Sequence, residues 1–297
     1  MTNLKVTLLG TGLPDPKPDR YGSSTLIEAG KEKLIIDCGR CCLQRLSETG
    51  TPLREANKLF LTHLHSDHTV GIPDLWLTPW IHGRWEEPLY FWGPVGTKHM
   101  MNKLMEAFEY DLKIRPIHDL LPEEGAQILT QEFQEGVVYE KNGVKVTAFE
   151  VDHRPVVPSY GYRVDYGGTS VVLSGDTRYS ENLIKFAENT DLLIHNVGAA
   201  REEDLKASER YRRIMALHLP PEEAAQVFKL VKPKLAVYTH MVLFKVEMDE
   251  IIKRTRKIYD GALEIGEDLM AFEIGESVKI LKPLENRFSK SQQEIVP

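Results

Sequence analysis

The chain has 297 residues, of which 42% are hydrophobic and 27% charged, and its formal net charge is −7 at pH 7. This composition is typical of a folded protein, and the acidic balance argues against a broad nucleic-acid-binding face, while a local basic patch stays open. No apolar run reaches the roughly 18 residues of a membrane helix, and the first residues lack a signal-peptide pattern. We therefore expect a cytoplasmic protein.

A cysteine cluster and a glycine motif each suggest chemistry that the rest of the sequence supports weakly. Cys38-x-x-Cys41 could be a redox or zinc pair, but the sequence has no second C-x-x-C motif. The three cysteines, Cys38, Cys41 and Cys42, are crowded and odd in number, so we predict a reduced, buried cluster without disulfides. The segment Gly10-Thr11-Gly12 is not a dinucleotide-binding loop, because the third glycine of that motif would fall at Asp15 and prolines follow. Neither motif indicates redox or nucleotide cofactor chemistry.

Short strands and helices are predicted along the whole chain from apolar periodicity and turn signals. Strands are predicted at residues 5–10, 23–29, 34–37, 58–61, 89–92, 137–140, 144–151, 160–166, 169–174, 191–195, 235–238, 269–274 and 277–281. Helices are predicted at residues 39–47, 71–84, 97–110, 180–187, 220–231 and 246–259. No element is predicted for residues 111–136.

The segment Thr62-His63-Leu64-His65-Ser66-Asp67-His68 places four potential metal ligands within six residues. Imidazole and carboxylate are ligands that suit zinc and its neighbours. His63 and His65 are two residues apart after a predicted strand and can point to the same side, whereas Asp67 and His68 lie in the following turn. The spacing therefore predicts one pair of ligands for each of two metal ions.

Three further candidate ligands follow other predicted strands: His153, Asp176 and His240. Any one of them alone would more often be an ordinary surface or capping residue. Because the sites of layered α/β proteins are built from loops at one edge of the sheets, these strand ends can converge although they are distant in sequence.

The H-x-H-x-D-H segment resembles the signature of the metallo-β-lactamase superfamily at every position. Further segments resemble the ribonuclease Z branch over most of residues 4–275: Leu8-Leu9-Gly10-Thr11-Gly12, Tyr160-Gly161-Tyr162-Arg163, Ser174-Gly175-Asp176-Thr177 and Val237-Tyr238-Thr239-His240. The resemblance implies an α/β protein with the metallo-β-lactamase fold, a four-layer αβ/βα sandwich with two mixed β-sheets. We expect one such domain over residues 1–282 and a polar tail over residues 283–297.

The resemblance also implies roles for the candidate residues. His63, His65 and His153 would hold one divalent ion, Asp67, His68 and His240 the second, and Asp176 would bridge them. Asp67 would also orient the attacking water, and His218, which precedes a predicted helix, would donate a proton to the leaving group. We expect Zn²⁺, because iron oxidoreductases of this fold typically carry Glu at the position of His65, with Mn²⁺ or Fe²⁺ as alternatives.

An aromatic stretch follows the histidine cluster and has two interpretations. Trp80, His82 and Trp85 could form a wall of the substrate pocket, since ligand sites are mostly apolar with few polar groups. The alternative, which the helical spacing of Trp76 and Trp80 favours, is that these side chains pack in the core.

Two departures from the ribonuclease Z pattern shape the functional prediction. The tRNA-gripping arm of that branch is missing, because only the ten residues 164–173 separate the flanking motifs, and His195-Asn196-Val197 replaces the His-Glu-Ala of the family. We therefore predict a dinuclear zinc hydrolase of a small phosphodiester or related ester. Ribonuclease Z activity on tRNA is the main alternative, followed by arylsulfatase, lactonase or incidental β-lactamase activity, and by a metal-stabilised binding protein without turnover. The resemblance further suggests a homodimer.

Overall fold

A computed structural model describes residues 4–283, in which strands and helices alternate much as predicted. The strands are β1 Leu4–Gly10, β2 Ser24–Ala29, β3 Glu32–Ile36, β4 Lys58–Phe60, β5 Leu89–Gly93, β6 Ile128–Glu132, β7 Gly136–Lys141, β8 Val144–Glu150, β9 Tyr160–Tyr166, β10 Thr169–Leu173, β11 Leu192–Ala200, β12 Leu235–Phe244, β13 Leu263–Ile265, β14 Ala271–Ile274 and β15 Val278–Leu281. The α-helices are α1 Cys42–Glu48, α2 Ser66–Thr69, α3 Ile72–Ile81, α4 Thr97–Ala107, α5 Glu109–His118, α6 Glu181–Phe186, α7 Glu202–Ala207, α8 Glu209–Met215, α9 Pro221–Val231 and α10 Met248–Arg256.

The strands form two mixed sheets that pack face to face. The first has the order β15-β14-β1-β2-β3-β4-β5-β6, and the second has the order β13-β12-β11-β10-β9-β8-β7. Apolar side chains of both sheets share one buried cluster between them, while α1, α3 and α4 cover the outer face of the first sheet and α6, α9 and α10 that of the second. The predicted four-layer sandwich with two mixed sheets is confirmed.

Strand direction brings distant parts of the chain to one edge of this sandwich. In the first sheet β3, β4 and β5 are parallel. In the second sheet β8 runs parallel to β10, because each is antiparallel to the β9 strand between them, and β10 is parallel to β11 and β12. The loops that follow β3, β4, β8 and β10 therefore meet at the same edge.

Several elements differ from the prediction. β11 and β12 extend beyond residues 195 and 238 because they pair with each other as far as Ala200 and Phe244. The helices α2, α5, α7 and α8 and the strands β6 and β13 were not predicted, and α2 forms where a turn was expected for Asp67 and His68. α5 and α8 bury no side chain, and all three residues of β13 are half-buried, so their apolar patterns are weak. The predicted tail lies, from residue 284 onward, outside the described residues.

The three cysteines are free, with Cys38 and Cys42 buried, which confirms the predicted reduced cluster. Burial raises the pKa of the Cys38 thiol well above its usual value, so this group stays protonated at neutral pH. The cluster is part of the core beneath α1 and α3.

The aromatic stretch divides between core and surface. Trp80 is 0% exposed in the core cluster under α3, and its indole N–H donates to the carbonyl of Pro122 at 2.8 Å. Trp85 is 50% exposed and His82 is exposed. A fully buried indole cannot touch a substrate, so Trp80 follows the core-packing alternative.

We expect Trp80→Ala to lower the free energy of unfolding by about 3–5 kcal/mol, because it leaves a cavity and an unpaired carbonyl in a packed layer. Trp85→Ala, the same substitution at an exposed indole five residues away, should change it by less than about 0.5 kcal/mol. Urea unfolding followed by circular dichroism measures both. Equal losses in the two variants would contradict the packing described here.

Candidate metal centre

Asp37 organises the segment that carries the histidine cluster. It follows β3, is 4% exposed, and has a left-handed backbone with φ of 60°. Its carboxylate accepts hydrogen bonds from the backbone N–H of Thr62 at 2.8 Å and from the Thr62 hydroxyl at 2.9 Å. It also accepts from Nδ1 of His68 at 2.7 Å. One buried carboxylate therefore fixes the end of β4 and the first helix that follows it.

Hydrogen bonds to one ring nitrogen of three histidines leave the other nitrogen available as a ligand. The Thr62 hydroxyl gives its proton to Asp37, so it accepts from Nδ1–H of His63 at 2.9 Å. Nδ1 of His153 donates to the carbonyl of Leu217 at 3.2 Å, and Nδ1 of His68 donates to Asp37. In the neutral form of each ring the lone pair is thereby placed on Nε2, as metal-binding histidines require.

The seven candidate ligands come together in overlapping groups whose ligand atoms lie within 4.8 Å of one another. These groups are His63, His65 and His153; His63, His68 and Asp176; Asp67, His68 and His240; and Asp176, His218 and His240, the last of which adds His218 to the seven candidates. The first and third sets coincide with the two sets of metal ligands that the resemblance implies. The structure thus brings together all seven residues, from four separate parts of the chain.

Asp176 lies between the two sets and is buried. Its Oδ2 is 3.6 Å from Nε2 of His68 and 4.0 Å from Nε2 of His153, and its Oδ1 is 3.3 Å from Nδ1 of His240. One carboxylate facing both histidine sets is the arrangement of a bridging ligand.

His240 reaches the site through a β-bulge rather than from the end of a strand. The pairing of β11 with β12 goes from Asn196 opposite Thr239 to Val197 opposite Met241, so His240 is the extra residue. Its φ is 44°, a left-handed conformation that is uncommon for a non-glycine residue. Such bulges redirect a side chain, and here the imidazole points at Asp67, with Nε2 at 3.1 Å from Oδ2.

Unpartnered nitrogen atoms show that these residues fit divalent cations. Nε2 of His68, Nε2 of His153 and Nδ1 of His240 are buried without a hydrogen-bond partner. Leaving such atoms unsatisfied costs roughly 1–3 kcal/mol each, and a cation between them would supply the missing partner. Imidazole and carboxylate donors suit Zn²⁺ and similar ions.

The electrostatics of the site favour ligands in their metal-binding forms. Burial would raise the pKa of Asp176, but the charges of His240 and His68 outweigh it and hold that pKa well below its usual value. Burial likewise opposes ionisation of Asp67, yet the hydrogen bond from His240 lowers its pKa. Burial lowers the pKa values of His63 and His153. Ionised carboxylates and neutral imidazoles are the forms that bind metals.

His68 differs in this respect. Burial alone would lower its pKa, but the carboxylates of Asp37 and Asp176 outweigh burial and raise it well above the usual value. Metal binding at Nε2 must therefore displace a proton, so metal affinity should fall as the pH falls.

His218 lies beside the metal ligands and is held by Asn196. Its ring centre is 5.7 Å from that of His153 and 5.8 Å from that of His240. The Asn196 side-chain N–H₂ group donates to the carbonyl of Thr177 at 3.0 Å and to Nδ1 of His218 at 3.1 Å. Because a carbonyl can only accept, the amide orientation is set, and the proton of neutral His218 must be on Nε2.

Burial lowers the pKa of His218 to about 4, so the imidazole is neutral at pH 7. A glutamate at position 196, as in the family pattern, would accept a proton from Nδ1, whereas Asn196 donates to it. Asn196 therefore favours a neutral hydrogen-bond donor over an imidazolium acid at this position.

The remaining candidates, Trp80, His82 and Trp85, do not join these groups. An open cavity of 330 Å³ does lie beside His218, and its other lining residues include Met215 on α8 and Arg254 on α10. The sequence prediction missed this cavity because α8 was not predicted.

Asp37 and Asn196 are the two site residues that the sequence prediction missed. Asp37 directly follows the apolar run of β3, and the candidate ligand Asp176 likewise lies shortly after a strand, three residues beyond β10. The sequence shows that Asn196 replaces the glutamate of the family pattern, but it does not show which groups the Asn196 amide contacts.

Comparison with known proteins agrees with this architecture. The crystal structure of the metallo-β-lactamase-fold protein YhfI from Bacillus subtilis superposes with a TM-score of 0.71 at 21% identity, covering 92% of this chain and 100% of that one. Human tRNase Z, short form, superposes with a TM-score of 0.66 at 26% identity, covering 90% and 98%. The fold is therefore that of the metallo-β-lactamase class.

Sequence comparison narrows the class to a family. A family model described as anti-Pycsar protein Apyc1 matches residues 4–227. Ribonuclease Z of Mycolicibacterium gilvum is 35% identical over 272 residues, which cover 90% of this chain and 94% of that protein. Ribonuclease Z of Mycobacterium marinum is 33% identical over 277 residues, covering 91% and 99%. The chain belongs to the anti-Pycsar protein Apyc1 family and to the ribonuclease Z-like branch of the metallo-β-lactamase superfamily. It is a metal-dependent hydrolase, as predicted.

We expect Asp37→Asn to weaken zinc binding by about 10- to 100-fold, because an amide N–H₂ would face Nδ1–H of His68 and the ring would lose its orientation. Competition with a chromogenic chelator measures the affinity. Asp268→Asn is the matched control, since Asp268 is also buried and also accepts from a threonine, Thr11, but lies outside the metal-ligand groups. Equal affinity in wild type and Asp37→Asn would refute the orienting role.

Proposed function

We propose that this chain is a phosphodiesterase that hydrolyses small phosphodiesters at a dinuclear metal centre. The observation that carries the proposal is the convergence of seven metal-ligand candidates beside a sandwich without a tRNA-gripping arm. β9 and β10 are joined directly by the turn Gly167-Gly168, and both glycines have positive φ, as a tight hairpin requires. The segment between β9 and β10 therefore lacks the insertion that the resemblance assigns to tRNA binding.

Each residue group has a defined task in this proposal. When bound, two divalent ions would lower the pKa of water and neutralise charge on a phosphoryl oxygen. Asp67, whose pKa is lowered, stays ionised and can orient a water molecule and accept its proton. The ring of His218 lies next to those of His153 and His240 and carries its proton on Nε2, so it can donate a hydrogen bond to the leaving oxygen as charge develops there.

Cleavage of tRNA is the second candidate. It is favoured by relatives named ribonuclease Z that are 33% and 35% identical along almost the whole chain. Against it stand the missing arm, the net charge of −7 and the family description, which names an anti-Pycsar protein rather than a tRNA nuclease. A small phosphodiester accounts for more of these observations than a folded RNA does.

Three finer properties belong to the same proposal. We infer Zn²⁺ as the metal from the all-His and Asp ligand set, a cytoplasmic location, and a homodimer from the family resemblance. In the described part of the chain no helix is long and apolar enough to cross a membrane.

The direct test is a hydrolysis screen of the zinc-loaded protein. The substrates are bis-p-nitrophenyl phosphate, a 3′,5′-cyclic nucleotide, a precursor tRNA, an aryl sulfate, a lactone and a β-lactam. We expect turnover of the small phosphodiesters that stops with a chelator and returns with Zn²⁺, because the ligand set requires cations. Specific cleavage of the precursor tRNA without hydrolysis of the small phosphodiesters would establish ribonuclease Z activity instead. No turnover of any substrate at full metal content would favour a binding protein.

The task of His218 predicts a dependence on the leaving group. We expect His218→Ala to slow the hydrolysis of phosphodiesters with an alkoxide leaving group by about 10²-fold, because this poor leaving group needs a hydrogen-bond donor. Hydrolysis of phosphodiesters that release p-nitrophenolate should slow far less.

The nearly isosteric variant Asn196→Asp replaces the hydrogen-bond donor to Nδ1 of His218 by an acceptor. This change should raise the pKa of His218 from about 4, so a larger fraction of the imidazole is protonated at pH 7. It should speed alkoxide release relative to nitrophenolate release.

Steady-state kcat for the two substrate types, at matched metal content, measures this effect. His82→Ala is the control for His218→Ala, since His82 is exposed and outside the metal-ligand groups. The same rate loss for both leaving groups in His218→Ala would exclude the proposed donor role.

A further inference from the structure

A cavity of 470 Å³ lies at the edge of the sandwich opposite the metal centre. Its lining includes Lys33 near the start of β3, Lys58 at the start of β4 and Tyr90 near the start of β5, whereas the metal ligands follow the ends of such strands. Five residues at about 3.3 Å each separate Lys58 from His63, so the two sites are about 16 Å apart. We call this opening the basic cavity.

The basic cavity concentrates positive charge in an acidic protein. Five cationic side chains from three parts of the chain line it: Lys31, Lys33, Arg54, Lys58 and Lys141. Only two carboxylates, those of Glu55 and Glu87, line it with them. In a chain of net charge −7, an excess of like charges around one opening favours an anionic ligand.

Three of these cations have no partner that would neutralise them. Lys33 pairs with Glu28 and Glu55, and Lys58 pairs with Glu32. For Lys31, Arg54 and Lys141, by contrast, residues 4–283 provide no ion pair within 4.0 Å. These three define the rim of the cavity and are free to bind phosphate oxygens.

The floor of the basic cavity is aromatic. Tyr90 and Trp92 are stacked with ring centres 6.3 Å apart, and Tyr139 meets Trp92 edge-on at 5.3 Å. Trp92 in turn stacks on Phe60 in the core at 4.6 Å, which fixes the floor from below. Flat, rigid rings next to cations suit a ligand that combines a planar aromatic group with negative charge.

A buried carboxylate holds the cavity in shape. Glu32 accepts a hydrogen bond from the Tyr139 hydroxyl at 2.6 Å and pairs with Lys58 at 3.2 Å. Burial opposes its ionisation, but these partners lower its pKa, so the carboxylate remains charged. The floor ring and one cation are therefore pre-positioned, as in a formed binding site.

We propose that the basic cavity binds a nucleoside phosphate, with the base on the aromatic floor and the phosphate at Lys31, Arg54 and Lys141. The volume lies within the 300–1,000 Å³ that small-molecule sites occupy. The site is separate from the metal centre and needs no turnover, so it stands or falls independently of the proposed function.

The test is isothermal titration of the metal-loaded full chain with AMP and UMP, compared with adenosine, uridine and inorganic phosphate. We expect saturable one-to-one binding of a nucleotide at least tenfold tighter than of its nucleoside or of phosphate. Both parts of the ligand contribute, the base through stacking and the phosphate through charge. A phosphate that binds as tightly as the nucleotides would overturn the proposal, as would no binding at all.

Charge-matched triple variants locate the binding. Lys31→Gln, Arg54→Gln and Lys141→Gln together should weaken nucleotide binding at least tenfold. The control variant Lys98→Gln, Arg210→Gln and Lys229→Gln removes the same charge from exposed positions outside the cavity and should bind normally. Unfolding midpoints verify that both variants are folded. Undiminished binding by the cavity variant would assign the nucleotide to the metal centre and refute the proposal.

A second variant tests the aromatic floor. Tyr90→Leu removes a half-buried ring and should weaken nucleotide binding while leaving the weak binding of inorganic phosphate unchanged. Equal effects on both ligands would contradict stacking. Tight binding of single-stranded RNA without measurable nucleotide binding would identify a nucleic-acid surface in place of the proposed site.

Discussion

The site depends on one constraint. A dense group of imidazoles and carboxylates is buried at one edge of the sandwich, and these groups need hydrogen bonds or opposite charges to offset the loss of water. The carboxylates of Asp37 and Asp176 lie in the interior, where an isolated charge is costly. Asp37 is compensated by protein groups, namely Thr62 and His68. The Asp176 carboxylate faces His68, His153 and His240, each of which has a buried nitrogen without a hydrogen-bond partner among the described residues. The two carboxylates thus differ in role: Asp37 orients the ligands, and Asp176 would bind cations.

This division explains why the sequence revealed some parts of the site and hid others. Metal ligands are recognisable because few other tasks place His, His, Asp and His within six residues, and because His153 and Asp176 follow strands whose apolar patterns are clear. Asp37 also comes shortly after a strand but has no neighbouring motif. Its role arises only when β3 and β4 pair as parallel strands, and this pairing cannot be read from the local sequence.

The fold was predicted correctly, but some of its individual elements were missed for a related physical reason. Strands and helices with strongly buried faces, such as β1, β8 and α9, were predicted within a few residues of their ends. α5 and α8 bury no side chain, so tertiary contacts and local propensity rather than an apolar period decide them. His240 was predicted at the end of a strand but lies at a β-bulge within β12. The bulge depends on the register between β11 and β12, which no local pattern encodes.

The strand β4 connects the two ends of the sandwich. It begins at Lys58, whose ammonium group is held by Glu32 in the basic cavity, and it ends just before Thr62, which Asp37 holds at the metal centre. Between them Phe60 stacks on Trp92, so the strand is packed along its whole length. A short strand that is fixed at both ends can couple the basic cavity to the metal centre only if one of its contacts can adopt two arrangements. The contacts of β4 with Glu32, Trp92 and Asp37 hold it at both ends and in the middle, so we expect occupancy of the basic cavity to alter the charge near the sandwich rather than the geometry of the metal ligands.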